Sequence, residues 1–291
     1  MRGTLHLMSA GDYAAFRAAL QPALARAMGV LGARAEGLDL EQLLPVARTL
    51  VQETPRNFNE LRPLLLKAFP QVNERALGFA VRTHLPLIMV PTEERWAFPP
   101  TADFTLAETW LGGQMSDDPA PAPLVLRYLA AFGPATAADM QTWSGLPGMK
   151  AVLDGLRPQL RVFKDERGRE LFDLEHAPRP DADVPVPARF LPEFDNLVLA
   201  HADRTRVLAD EHRGLVVTKN LRVRATFLWD GFVAGTWDVQ RKRDTATLQI
   251  TPFAALPLGA AEGLAEEGQA LLRFVEADAS TFDVEVGRPS E

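Results

Sequence analysis

The chain has 291 residues, a formal charge of −7, five histidines and no cysteine, which allows two or three small domains and excludes disulfides and thiolate metal sites. Its 47% hydrophobic and 24% charged residues are ordinary for a globular protein, and no apolar run reaches the roughly 20 residues of a membrane span. The acidic total excludes a surface that is cationic throughout, so any nucleic-acid contact must rest on a local basic face.

The first residues, MRGTLHL, read as a strand with Arg2, Thr4 and His6 on one face and Gly3, Leu5 and Leu7 on the other. A helix follows over residues 11–32, with Ser9 or Asp12 as its cap, and a second before Pro55, where Pro45 predicts a kink or a helix start. Residues 56–70 and 72–86 then read as two helices with a polar turn between them. Apolar strands are expected at 85–91 and 94–100. Two helices and a β-ribbon make a winged helix-turn-helix, whose recognition helix would expose Asn73, Arg75, Arg82 and His84.

The order then repeats. Residues 122–133, 135–147 and 147–160 read as helices, the second capped by Thr136, and 160–174 as a hairpin with a charged tip from Asp165 to Arg169. A proline-rich linker, 176–190, leads into four apparent strands within 215–253. Their turns are expected at Lys219-Asn220, Asp230-Gly231 and Lys242-Asp244. A last amphipathic helix, 260–276, should pack on that sheet. The fold class is therefore α+β: tandem winged helix-turn-helix domains, then a C-terminal β-rich region with a terminal helix. The expected segments are 1–35, 36–102, 118–176 and 186–291.

Few residues carry recognisable chemistry. The histidines His6, His84, His176, His201 and His212 stand singly, without metal-ligand spacing, and no P-loop, dinucleotide fingerprint or nucleophile elbow occurs. No cofactor and no metal are expected. In LPEFDNLVLAHADRTRVLADEHR, residues 191–213, the charged groups either line a cleft or form surface ion pairs and caps. Between Asp203 and Arg243 nine Lys/Arg stand against five Asp/Glu, with Arg222 and Arg224 expected on one strand face and Arg241 to Arg243 at a hairpin tip. Such a strip suits phosphate contacts, or else is a solvated tip. The expected DNA-binding set is Arg75, Arg82, Lys150, Lys219, Arg222, Arg224, Arg241, Lys242 and Arg243. Arg2, Thr4 and His6 form either a reactive polar face or the solvent side of a strand.

RGTLHLMSAGDY, FLPEFDNLVLAHADRTRVL and FLWDGFVAGTW with its basic turn, in this order, resemble a bacterial family of tandem winged-helix DNA-binding proteins. Its characterised members are the AlkZ-type DNA glycosylases. The resemblance implies a C-shaped stack of three winged helices with DNA in the concave face. It also implies metal-free, water-dependent removal of bulky N7-alkylated purines and unhooking of interstrand crosslinks. In that family hydrolysis is attributed to a Gln-hydrophobic-Gln motif (Gln-hydrophobic-Asp in relatives) in the first winged helix, upstream of the RGTLH strand. No Gln-hydrophobic-Gln or Gln-hydrophobic-Asp occurs in these 291 residues. The RGTLH segment therefore reads as the last wing strand of a first unit most of which is missing, and Arg2, Thr4 and His6 as residues lining its site. The expected partner is double-stranded DNA, alkylated or not, bound by a cytoplasmic monomer with no membrane association. The alternatives are a non-enzymatic transcriptional regulator and a protein-interaction scaffold.

Overall fold

The computed structural model describes residues 4–94, 96–97 and 99–289. It divides into two compact units, residues 1–174 and 175–291.

In the first unit, helix α1 (Ala10–Ala27) starts at Ser9, whose hydroxyl accepts from the Asp12 N–H, and runs into a 3₁₀ segment at Met28–Ala35. Helix α2 (Leu40–Glu53) is capped by Asp39 and continues through Pro45, so that proline neither starts nor ends it. Helices α3 (Phe58–Ala68) and α4 (Glu74–His84) are capped by Asn57 and Asn73. Each cap is a short polar side chain that takes up otherwise orphaned N–H groups. Leu43, Ala47 and Val51 of α2, Leu61 and Leu65 of α3, and Leu77 and Val81 of α4 share one buried core. Their spacing of three to four residues gives each helix one apolar face to bury.

Strand β1 (Leu87–Met89) pairs with β2 (Phe104–Leu106), not with residues 94–100. Around 94–100 the chain makes a tight loop instead: the Thr92 N–H donates to Ala97 O, the Ala97 N–H to Glu94 O, and Ala97 sits at φ 60°. Pro99 and Pro100 follow at once and have no N–H to give a ladder. The ribbon therefore closes at Leu106, beyond the expected boundary at 102, and a short helix α5 (Ala107–Leu111) follows.

A second group of the same order follows: α6 (Ala122–Phe132), α7 (Ala137–Ser144), α8 (Met149–Leu156), then an antiparallel hairpin of β3 (Leu160–Lys164) and β4 (Glu170–Leu174). Thr136 and Asp139 form a reciprocal capping box at the start of α7. Tyr128, Trp143 and Phe132 cluster with ring centroids 5.0–6.2 Å apart. An extra bridge joins Ala135 to Phe172 of β4. Gly133 has no alternative here: a Cβ would lie 2.5 Å from Asp173 Oδ1 and 2.7 Å from Leu129 O.

Helix α1 ties the two groups together. Its Arg17 guanidinium donates to the carbonyls of Thr83, His84 and Leu85 at the C-terminus of α4, and Tyr13 Oη donates to Leu87 O. On the other side Arg127 of α6 pairs with Asp12 at 3.3 Å, and Arg26 donates to Gly145 O. A cation on the last carbonyls of a helix both satisfies them and complements its dipole. Burial holds the Arg17 guanidinium below its ordinary pKa and Tyr13 above its own.

In the second unit a five-stranded sheet has the order β5 (Arg189–Leu191), β6 (Thr226–Trp229), β7 (Phe232–Lys242), β8 (Thr245–Pro252), β9 (Thr281–Val286). Between β5 and β6 lie two helical turns, α9 (Asn196–Leu199) and α10 (Arg213–Val216). The Asp230-Gly231 turn forms as the sequence predicts, with φ of 50° and 79°. The expected Lys219-Asn220 turn forms too, with the Leu221 N–H donating to Thr218 O and the Thr218 N–H to Arg222 O, but the strands expected on either side of it do not. Residues 217–223 make a tight loop with a single bridge from Val217 to Val223, Leu221 at φ 60°, and Thr218 Oγ1 accepting from the Arg222 N–H. Helix α11 (Ala260–Val275) packs on the sheet at Gly268, where a Cβ would meet Leu248 and Val284 at 2.8–3.1 Å. It leads to β9, which the sequence reading missed and which lies parallel to β8.

Candidate nucleic-acid interface

Of the expected N-terminal strand, residues 4–7 are described and are not in a strand. Residues 4–9 pair with no strand among the described residues, Leu5 and Leu7 are 65% and 92% exposed, and Arg2 lies outside the described residues. A strand without a ladder leaves its backbone groups to water, so nothing fixes an alternating face there. Thr4 Oγ1 and His6 Nε2 nevertheless meet at 2.9 Å.

The nine basic residues of the expected DNA-binding set separate by their partners. Lys150 is bound to Asp154 at 2.5 Å and lies 3.8 Å from Glu170, the same pair of carboxylates that holds Arg157. Hydrogen bonds from Lys150 and from Arg157 respectively hold Asp154 and Glu170 below their ordinary pKa values. Arg222 is clamped by Glu193, and Arg241 by Glu276 at 3.2 Å and Asp278 at 3.6 Å. Arg222 and Arg224 sit in the 217–223 loop and its exit, not on a strand, because the positive φ at Leu221 breaks the extended run.

Arg75, Arg82, Lys219, Arg224, Lys242 and Arg243 are exposed, and no acid lies within ion-pair distance of them among the described residues. Lys242 ends β7, and Arg243 forms the turn to β8 at φ 55°. On α4, Asn73 spends its side chain on capping, and half-buried His84 directs Nδ1 at Ala80 O and Thr83 Oγ1. Arg75 and Arg82, with Glu74 at the first turn, are then the exposed charged groups of α4.

Sequence reading missed Arg62. It projects from α3 onto α4 at Gly78, its Nε 3.3 Å from where a glycine Cβ would be, while Arg82 Cζ lies 4.5 Å above the Phe58 ring. Like Arg75 and Arg82, Arg62 has no acid within ion-pair distance among the described residues. Its signal in the sequence was weak. Phe58 and Arg62 are four apart on one helix, and Gly78 and Arg82 four apart on the next, a register that becomes meaningful only once the helices pack.

The remaining family-like segments are structural. In LPEFDN, Asp195 caps α9, and the Leu191 carbonyl accepts from Trp237 Nε1 of the GTW segment at 2.9 Å. Buried His201 takes a hydrogen bond from Arg206, and Asp203 caps the turn at Thr205. The caps expected of residues 191–213 are thus supplied by Asp195 and Asp203. Among the described residues no group of three or more His, Asp or Glu converges as a metal site, and no helix is long and apolar enough to cross a membrane.

Among the described residues, the first unit thus carries two uncompensated cations of the expected set, Arg75 and Arg82, and the second unit four, Lys219, Arg224, Lys242 and Arg243. Local positive charge of this kind is what polyanions meet on an otherwise acidic chain. Comparison with known proteins agrees with that chemistry. An interstrand DNA cross-link repair glycosylase of Streptomyces sahachiroi is 29% identical over an alignment of 290 positions, which takes in 90% of this chain and 75% of that protein. The solved structure of the Streptomyces sahachiroi DNA glycosylase AlkZ has the same fold, with a TM-score of 0.75 at 24% identity over 99% of this chain and 80% of that one. The model of the AlkZ-like DNA glycosylases matches residues 1–274, and the chain belongs to that family.

Proposed function

We propose that this chain is a DNA-repair protein of the cross-link glycosylase type. It binds double-stranded DNA through two winged helices, residues 36–106 and 118–176, and recognises bulky N7-alkylated purines or interstrand crosslinks. The family match over residues 1–274 carries this reading, and the uncompensated cations support it. The reaction is hydrolysis of an N-glycosidic bond: the C1′–N9 bond breaks, water oxygen adds to C1′, its proton is released, and the electron pair leaves with the alkylated base. Such a step needs a group that positions water and stabilises the developing sugar cation. The Gln-hydrophobic-Gln that the resemblance assigns to this work is not among these residues, so the chain as given binds the lesion duplex without releasing its base.

The test is a pair of measurements on one duplex carrying a single N7-alkylguanine. Anisotropy should report binding that weakens steeply with salt, and mass spectrometry should find no free alkylguanine. Release of the base would overturn the inactivity and direct substitution first to Thr4 and His6. Absence of binding would overturn the whole reading.

A further inference from the structure

Arg62 and Arg82 pose an electrostatic problem that the fold itself does not solve. Phe58 and Arg62 on α3 face Gly78 and Arg82 on α4, and each pair is one helical turn apart. Arg62 lies against the bare backbone of Gly78, with Nε and Cγ 3.3 and 3.4 Å from the absent Cβ, and Phe58 Cδ1 is 3.6 Å from the same point. Arg82 stacks over the ring of the same Phe58, its Cζ 4.5 Å from the centroid. Burial, and then the charge of Arg62, holds Arg82 below its ordinary pKa. Neither guanidinium has an acid within ion-pair distance among the described residues. Arg75 stands two turns before Arg82 on the same face of α4 and is equally without one.

We propose that Arg62 and Arg82, laid over Phe58 and Gly78, form a preformed seat for one phosphodiester of duplex DNA, read without regard to base sequence, with Arg75 flanking it. The partner, duplex DNA, is taken from the function proposed above; the site is new. Planar forks of N–H donors match phosphate oxygens two at a time. Holding both forks on a platform removes most of the entropy that long side chains otherwise lose on binding. The helix N-terminus is not the anion site, because Asn73 Oδ1 already takes the Arg75 and Ala76 N–H groups and Glu74 stands exposed beside them. Base reading is the less fitting use, since both guanidinium groups are held by α3 and α4 themselves instead of reaching outward into a groove.

The experiment titrates the full chain against two unmodified duplexes of unrelated sequence over a range of NaCl concentrations. Arg62→Gln should weaken binding roughly tenfold on both duplexes and lower the slope of log K against log salt by about 0.9, one phosphate. Because the seat holds a single phosphate, Arg62→Gln with Arg82→Gln should lower the slope no further than either alone. Arg62→Lys, which keeps the charge and the stem over Gly78, should restore the slope and so separates charge from folding. Arg189→Gln, at an arginine paired with Glu267 and outside the expected DNA-binding set, should leave it unchanged. An unchanged slope in Arg62→Gln, additive losses in the double variant, or loss on one sequence only would overturn the seat while leaving wild-type DNA binding intact. No binding by the wild-type chain would overturn both the seat and the proposed function.

Discussion

The first unit contains the same succession of three helices and a ribbon twice, and the two copies differ in how the cations on their paired helices are matched. In the second, Lys150 and Arg157 are matched by Asp154 and Glu170, and the hairpin tip pairs Arg169 with Asp165 at 2.6 Å. In the first, Arg62, Arg75 and Arg82 have no acid within ion-pair distance among the described residues. Paired surface charges contribute little to stability and attract no polyanion. Unpaired ones repel each other until an anion arrives. One architecture therefore pairs Lys150 and Arg157 in one copy and leaves Arg62, Arg75 and Arg82 unpaired in the other, and the helices alone do not say which.

The same glycine substitution should separate the copies most sharply. Gly133→Ala forces a Cβ into Asp173 Oδ1 and the Leu129 carbonyl, and should cost about 3 kcal/mol in urea unfolding. Gly78→Ala meets mainly the movable Arg62 side chain and replaces a helical glycine, so stability should stay within about 1 kcal/mol of wild type. DNA affinity should change instead. If both variants unfold alike, the contrast between the copies fails.

Arg17→Leu comes next. It leaves the carbonyls that end α4 without their donor, at a cost of about 2 kcal/mol. Because α4 carries Arg75 and Arg82, plain-duplex affinity should fall with it, and native DNA binding in a fully folded variant would contradict α1 as the strut. Thr136→Ala opens the capping box of the second copy and should cost about 1 kcal/mol with DNA affinity untouched.

The smallest effect is a pH dependence. Asp154 and Glu170 have folded pKa values below the ordinary carboxylate range, through hydrogen bonds from Lys150 and Arg157. Their stabilisation is therefore present above that range and is lost as pH falls through the depressed values. In Lys150→Ala with Arg157→Ala the depression disappears. The melting temperatures of variant and wild type should converge in acid, and a gap that persists at low pH would place the effect elsewhere than in these pairs.

Much of this molecule follows from local rules. Ser9 and Thr136 appear as caps, Asp230-Gly231 as a two-residue turn, and helices α2 to α4 and α6 to α8 as apolar stripes. These are interactions between residues within a turn of one another, and spacing encodes them directly. The errors share a different cause. The strand at 94–100, residues 4–7 of the N-terminal strand and the strands expected beside the Lys219-Asn220 turn all depended on a partner strand, and strand pairing is non-local. The real partner of β1 is a three-residue segment, Phe104–Leu106, too short to announce itself.

For the candidate site the division is sharper still. The sequence by itself determined which cations exist, which helix carries Arg75 and Arg82, and the family-like segments that hold the β-rich unit together through Trp237 and Leu191. Only the tertiary structure decided which cations are spent, because Glu193 reaches Arg222, and Glu276 reaches Arg241, across 29 and 35 residues. It also brought Arg62 over Gly78, 16 positions away. Coulomb energy falls with distance in space, not along the chain, so which charges are free is a property of the packed molecule.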